Sequence, residues 1–173
     1  MRFKILPIFL LTCSFSFAQR FDNSSNINAS FLPGKGIGAV IEYEQLFKRN
    51  NTFFLGLNAL SFKKELSVPK IDAKLLDTFA TFGYRRYFGN KSLFPYFSVA
   101  GMIGYEFLTN EKDFSSTIVY NRGDDLIYGI TGDIGVEYFI RKVSLFGAFS
   151  PIYEFNNKEF YPNARLGIKF YIL

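Results

Sequence analysis

The side chains that carry most enzymatic chemistry are scarce in this chain. Its 173 residues include no histidine and one cysteine, Cys13. Without imidazole there is no Ser-His-Asp or Cys-His pair, no imidazole metal ligand and no unperturbed group titrating near neutrality. A hydrolase that relies on histidine has nothing here from which to build its site. Gly34, Gly36 and Gly38 form a glycine-rich stretch, but no helix pattern follows and the spacing misses the dinucleotide fingerprint. Gly89-Asn90-Lys91-Ser92 looks like the end of a phosphate loop, yet Tyr84 stands where its first glycine belongs. Asp124-Asp125 would hold a cation only weakly and reads better as a solvated loop. No catalytic, cofactor or metal site is therefore expected. What remains is a set of charges inside otherwise apolar segments: Glu42, Glu44, Arg85, Glu106, Asp133, Glu137, Arg165 and Lys169.

Those charges recur at polar positions of a period-two pattern, the signature of strands with one apolar face. From Leu126 to Ile140, one set runs Leu126, Tyr128, Ile130, Gly132, Ile134, Val136, Tyr138 and Ile140. The opposing set, which contains Asp133 and Glu137, is mainly small, polar or acidic through its middle. Similar alternation appears near residues 26–31, 36–44, 53–59, 76–85, 97–107, 143–150 and 164–172. Phe79 and Phe146 fall in otherwise polar sets and break the pattern. Eight strands are predicted. FKRNN, GNKSL and Arg141-Lys142 join them at one end, while SVPKIDAK, residues 109–125 and NNKEFYP make longer connections at the other. PGK after the first strand is a short exception.

Short turns at one end and longer loops at the other predict an all-β protein: an eight-stranded antiparallel transmembrane β-barrel with periplasmic turns and extracellular loops. A lipocalin-like barrel or a β-sandwich shares the periodicity but turns its apolar set inward. The membrane version is favoured because the polar set is rich in Gly, Ala and Ser, which suit a crowded lumen. Tyr43, Tyr84, Tyr105, Tyr128 and Tyr138 sit near strand ends, where aromatic girdles belong. The chain also ends on a strand in which Gly167, Phe170 and Ile172 match the pattern read by barrel-assembly machinery. Outer-membrane lipid and that machinery are the expected partners.

The first eighteen residues read as an export signal. Two positive charges, Arg2 and Lys4, precede the apolar run ILPIFLLTCSFSF, and small residues follow at the cleavage positions. Cleavage is expected between Ala18 and Gln19, leaving residues 19–173 as the barrel. The run is too short for a membrane helix, and Thr12 before Cys13 is a poor lipidation context. Cleavage there removes the only cysteine, and with it any disulfide or thiolate metal site. Export to the outer membrane of a Gram-negative bacterium follows. No Lys/Arg-rich run suggests nucleic acid, so direct nucleic-acid binding is not expected.

Facing inward, seven of the eight charges sort into two layers by strand height. Glu42, Glu44, Arg85, Glu137 and Lys169 lie toward the turn end, with Glu106 and Arg165 toward the loop end. A barrel of this size is just wide enough for side chains to fill, and buried charges must be paired. A closed lumen without a channel is expected.

From Val68 to Leu173 the chain resembles the conjugative-transposon TraO family of Bacteroidetes-type bacteria. The resemblance rests on Val68-Pro69, Gly104-Tyr105-Glu106, Ile127-Tyr128-Gly129, Glu137-Tyr138 and the closing run Asn163-Ala164-Arg165-Leu166-Gly167-Ile168-Lys169-Phe170. It implies a structural, non-enzymatic outer-membrane component of a DNA-transfer apparatus, partnered by other conjugation proteins. No catalytic or DNA-contacting residue carries over. On the residues alone, a general barrel for adhesion or envelope integrity stands beside this reading. On the transfer reading the loop Thr109 to Asp125 is the expected contact surface.

Overall fold

The computed structural model describes residues 24–34, 36–47, 50–67, 70–89, 92–109 and 125–172; over 64–67 and 70–73 only the backbone is described. The predicted signal and its cleavage site at Ala18-Gln19 lie outside the described residues, as does most of the 109–125 loop.

The strands are β1 (Ser25–Pro33), β2 (Ile37–Phe47), β3 (Asn51–Ser67), β4 (Lys70–Tyr87), β5 (Leu93–Leu108) and β6 (Asp125–Ile140), then β7 (Val143–Phe149), β8 (Ile152–Glu154), β9 (Glu159–Tyr161) and β10 (Ala164–Ile172). Each sequential pair from β1 to β7 is antiparallel, and β10 closes the ring by pairing with both β7 and β1. β7 and β8 are one crossing interrupted at Ser150-Pro151, and β9 and β10 one crossing interrupted at Pro162-Asn163. The fold is therefore a closed, eight-stranded antiparallel β-barrel. Proline has no N–H to give a ladder, so strands break or bend where it falls. The Ser150 N–H still donates to the Asn163 carbonyl at 2.7 Å, holding the two breaks side by side.

Alternation along the strands gives the barrel its polarity. Outward positions carry Leu57, Phe82, Ile103, Ile134 and Leu166, all more than half exposed. Inward positions carry Arg85 at 1% and Lys169 at 0% exposure. An apolar outside and a charged inside invert the soluble pattern, and a closed sheet leaves no edge to satisfy in lipid. This is the polarity of a transmembrane barrel.

Two apolar plugs fill the lumen above and below the charges. Toward the short-turn end Leu46, Tyr87, Phe94, Tyr96, Phe139, Phe146 and Tyr171 pack together. Toward the other end Leu60, Phe62, Leu75, Phe79, Met102, Ile127, Ile152 and Tyr161 do the same. Phe79 and Phe146, which break the alternation in sequence, are members of these plugs.

Two connections differ from their sequence reading. SVPKIDAK was assigned to a loop, but β3 runs to Ser67 and β4 starts at Lys70, so most of it is paired strand. NNKEFYP contains β9, paired with β8. The reason is the same in both: polar residues dominate there, so period-two hydrophobicity fades while the backbone ladder continues.

Candidate functional site

The charged layer sits midway along the lumen, on β2, β4, β6 and β10. Arg85 on β4 reaches across the barrel. Its Nη1 lies 2.7 Å from Glu42 Oε1 and 3.1 Å from Glu44 Oε2, and its Nη2 lies 3.0 Å from Asp133 Oδ2. Arg165 Nη1 meets Glu42 at 3.1 Å and Asp133 at 3.4 Å. Lys169 Nζ is shared by Glu44 at 2.9 Å and Glu137 at 3.0 Å. Three cations and four carboxylates thus form one connected network.

Neutral donors supply the remainder. Thr52 and Tyr87 hydroxyls donate to Glu44 at 2.7 and 2.6 Å. Ser98 and Ser150 donate to Asp133 at 2.9 and 2.5 Å. Ser144 donates to Glu137 at 2.7 Å, and so does Tyr171. Asn28 donates to Glu42 at 2.8 Å while its own carbonyl accepts from Arg165 at 2.9 Å. Aromatic faces cover the cations: Arg85 lies 4.6 Å over Phe54, and Lys169 5.1 Å over both Tyr87 and Phe146. Buried charges need this density of partners, because each leaves water at a cost of several kcal/mol. The arrangement holds the eight strands at fixed distances. Its hydroxyls are spent on carboxylates already held by Arg85, Arg165 and Lys169. A space of about 20 Å³ beside Glu42, Asp133 and Arg165 has room for about one water molecule.

Seven of the eight sequence-selected charges meet here, and Glu106 does not. Of the two layers expected from strand height, the turn-end one gathers Arg165 as well, while Glu106 stays at the loop end. Arg165 starts nearer the loop end, but its long side chain reaches Glu42 and Asp133 instead of Glu106. Glu106 is buried across the ladder from Asp77, in a loop-end acidic region that also holds Glu154. Asp77 was visible at an inward position but was not selected, and Glu154 fell next to a segment assigned to a loop. Tyr171 falls in the inward set of the last strand and Tyr87 just past the patterned part of the fourth; neither was selected, because the selection was of charges. Only their inward register distinguishes them from the girdle tyrosines.

At the C-terminus, Phe170 and Ile172 point outward from β10 and are about half exposed. Gly167 faces Phe146 across the ladder, and a Cβ there would stand 2.5 Å from Ser30 Cβ and 2.6 Å from the Ala29 carbonyl. Its lack of a side chain is thus what admits the Phe146 ring. The groups of three or more His, Cys, Asp or Glu side chains that a metal needs do not occur among the described residues.

No family model and no curated protein matches the chain. Solved structures do match in shape. The N-terminal β-barrel domain of Pseudomonas aeruginosa OprF aligns over 88% of this chain and 100% of its own, with a TM-score of 0.58 and 17% identity. Ail, the attachment invasion locus protein of Yersinia pestis, solved with the heparin analogue sucrose octasulfate, aligns over 88% of this chain and 100% of its own. Its TM-score is 0.56 and its identity 13%. At those identities the likeness is one of fold: this chain is built as an eight-stranded barrel of the outer-membrane type.

Proposed function

We propose that this chain is an outer-membrane barrel acting as a rigid, non-enzymatic platform in adhesion or envelope integrity. The filled lumen is the observation that carries the reading. With two apolar plugs and an ionic layer between them, the interior is committed to holding the barrel closed. Function then falls to the surfaces: the lipid-facing wall and the connections at either end. The likeness in shape to OprF and to Ail, whose name includes attachment, supports a surface role over a transfer role. Outer-membrane lipid and the assembly machinery are its partners, and residues 109–125 its contact loop. A strain lacking the gene is expected to bind host surfaces less well or to become more sensitive to detergent, with recovery on complementation. Unchanged adherence and unchanged sensitivity would remove this reading.

A second reading is participation in a conjugative DNA-transfer apparatus. It is favoured by the ordered resemblance from Val68 to Leu173, including Asn163-Ala164-Arg165-Leu166-Gly167. Mating frequency from the same deletion strain separates the two. A fall of several orders of magnitude, restored by the complement, would move the transfer role to the front.

A further inference from the structure

The two ends of the barrel differ in charge. At the short-turn end the connections are residues 48–50, 88–92 and 141–142, with sequences KRN, FGNKS and RK. Every charged residue in them is positive: Lys48, Arg49, Lys91, Arg141 and Lys142. Arg86, at the last outward position of β4, adds another. At the opposite end the 109–124 connection mixes Glu111, Lys112, Asp113, Arg122 and Asp124. Signs are blended in that connection and unmixed in the three short turns.

The bases whose side chains are described are placed for a planar, anionic phase. Arg86 is exposed on the lipid-facing wall, opposite Asn51 and Phe97, with its guanidinium 5.8 Å over the Phe88 ring. Outward aromatic rings surround it. Phe88 lies 5.8 Å from Phe97, while Phe47 stacks on Phe53 at 4.6 Å and Phe53 meets Tyr84 at 6.1 Å. Such a girdle marks the level of lipid headgroups, and a guanidinium within it sits at phosphate height.

Arg141 carries a second observation. It opens the two-residue turn between Ile140 and Val143 with φ 57°, a left-handed conformation that glycine or asparagine adopts more readily. The turn is clamped by the Tyr171 N–H, which donates to the Lys142 carbonyl at 2.9 Å. The fold places a long cationic side chain at a position whose backbone favours glycine or asparagine. Both side chains are exposed.

We propose that the short-turn end is a binding surface for anionic phospholipid headgroups, with Arg86, Arg141 and Lys142 contacting their phosphates. Lipid fits better than an acidic protein for a geometric reason. The bases are spread over separate hairpins around the barrel perimeter, and one of them lies in the plane of the membrane wall. A protein partner would call for a contiguous patch facing the aqueous phase. The inference rests on the chain being a membrane barrel but not on which envelope or transfer role it serves.

The test is native mass spectrometry of the barrel, folded in a maltoside detergent, with equal amounts of phosphatidylglycerol and phosphatidylcholine. Each base near an anionic surface is expected to favour the anionic lipid by about fivefold. Wild type should retain phosphatidylglycerol preferentially, less so at high salt. R86Q should lower the preference by about fivefold, and Arg86→Gln, Arg141→Gly and Lys142→Gln together should lower it by about a hundredfold. Arg141→Gly alone should keep the heat-modifiable gel shift of the folded barrel and still lose preference, which separates binding from folding. Equal retention of the two lipids by wild type, or an undiminished preference in the triple variant, would overturn the proposal. Parity combined with co-sedimentation on peptidoglycan that the triple variant loses would overturn it too, and assign the surface to an anionic polymer. Failure of wild type to fold into phosphatidylcholine bilayers would instead count against the membrane barrel itself.

Discussion

Lys169 shows what a buried ion pair demands of its neighbours. It is fully buried, shared between Glu44 and Glu137, and donates to the Tyr87 hydroxyl oxygen at 2.6 Å. Replacing it with methionine keeps its length but leaves two carboxylates in a dry layer. Removing one partner of a buried pair costs about 3–5 kcal/mol, whereas removing both is far less harmful. Lys169→Met should therefore lower the stability of the folded barrel by about that amount in urea titration from detergent. Combining it with Glu137→Gln should recover part of the loss. A single-variant cost below about 1 kcal/mol would mean that water reaches the layer. At this scale the sequence was informative about identity and less so about partnership. Period two places Glu42, Arg85, Asp133 and Lys169 on one face, but the reach of Arg165 toward Glu42 depends on barrel curvature, which no linear pattern encodes.

Among the elements, β10 and the β3–β4 hairpin make contrasting predictions. β10 is constrained on both sides by β1 and β7, and Gly167 lies where the Phe146 ring crosses. Gly167→Ala would force a Cβ into a backbone carbonyl and a ring edge, an overpacking expected to cost about 1–3 kcal/mol. Loss of the gel shift at a lower temperature would register it. The β3–β4 hairpin is the opposite case. Beyond Lys63 and Lys74 it continues to Ser67 and Lys70. Replacing residues 65–72 with a two-residue Asn-Gly turn should leave the folded barrel at wild-type stability. A lost gel shift would place that extension inside the stable unit. These two elements also explain where the sequence stopped being readable. Alternation identified β10 because both its faces have a strict environment, lipid outside and packed lumen inside. The tip of β3–β4 has no such contrast, and neither does β9, so strand and loop leave similar polarity patterns there. Pro151 and Pro162 stand at the breaks, but only the closed ladder shows that β7–β8 and β9–β10 are single crossings.

For the whole molecule, closure and filling are the properties with measurable consequences. Plugs at both ends of the ionic layer predict no steady conductance in planar bilayers, and channels of a few hundred picosiemens would contradict the packing described for the lumen. Eight crossings and an inward polar set were legible because they repeat along the chain. The plugs were not, since Phe79 and Phe146 looked like irregularities until the register put them across the lumen from other rings.

The position of the cations along the chain gives the last strand a further meaning. Arg85 is the only base of the network carried by the first seven strands in chain order; Arg165 and Lys169 both arrive on β10. Until that strand docks against β1, four carboxylates on β2 and β6 face a single guanidinium. Seam closure and the pairing of most of that charge are thus coupled, and the final nine residues of the sheet act as an electrostatic latch. An incomplete chain that stops short of them retains an acidic, unsealed interior and carries that excess charge as a mark of its unfinished state.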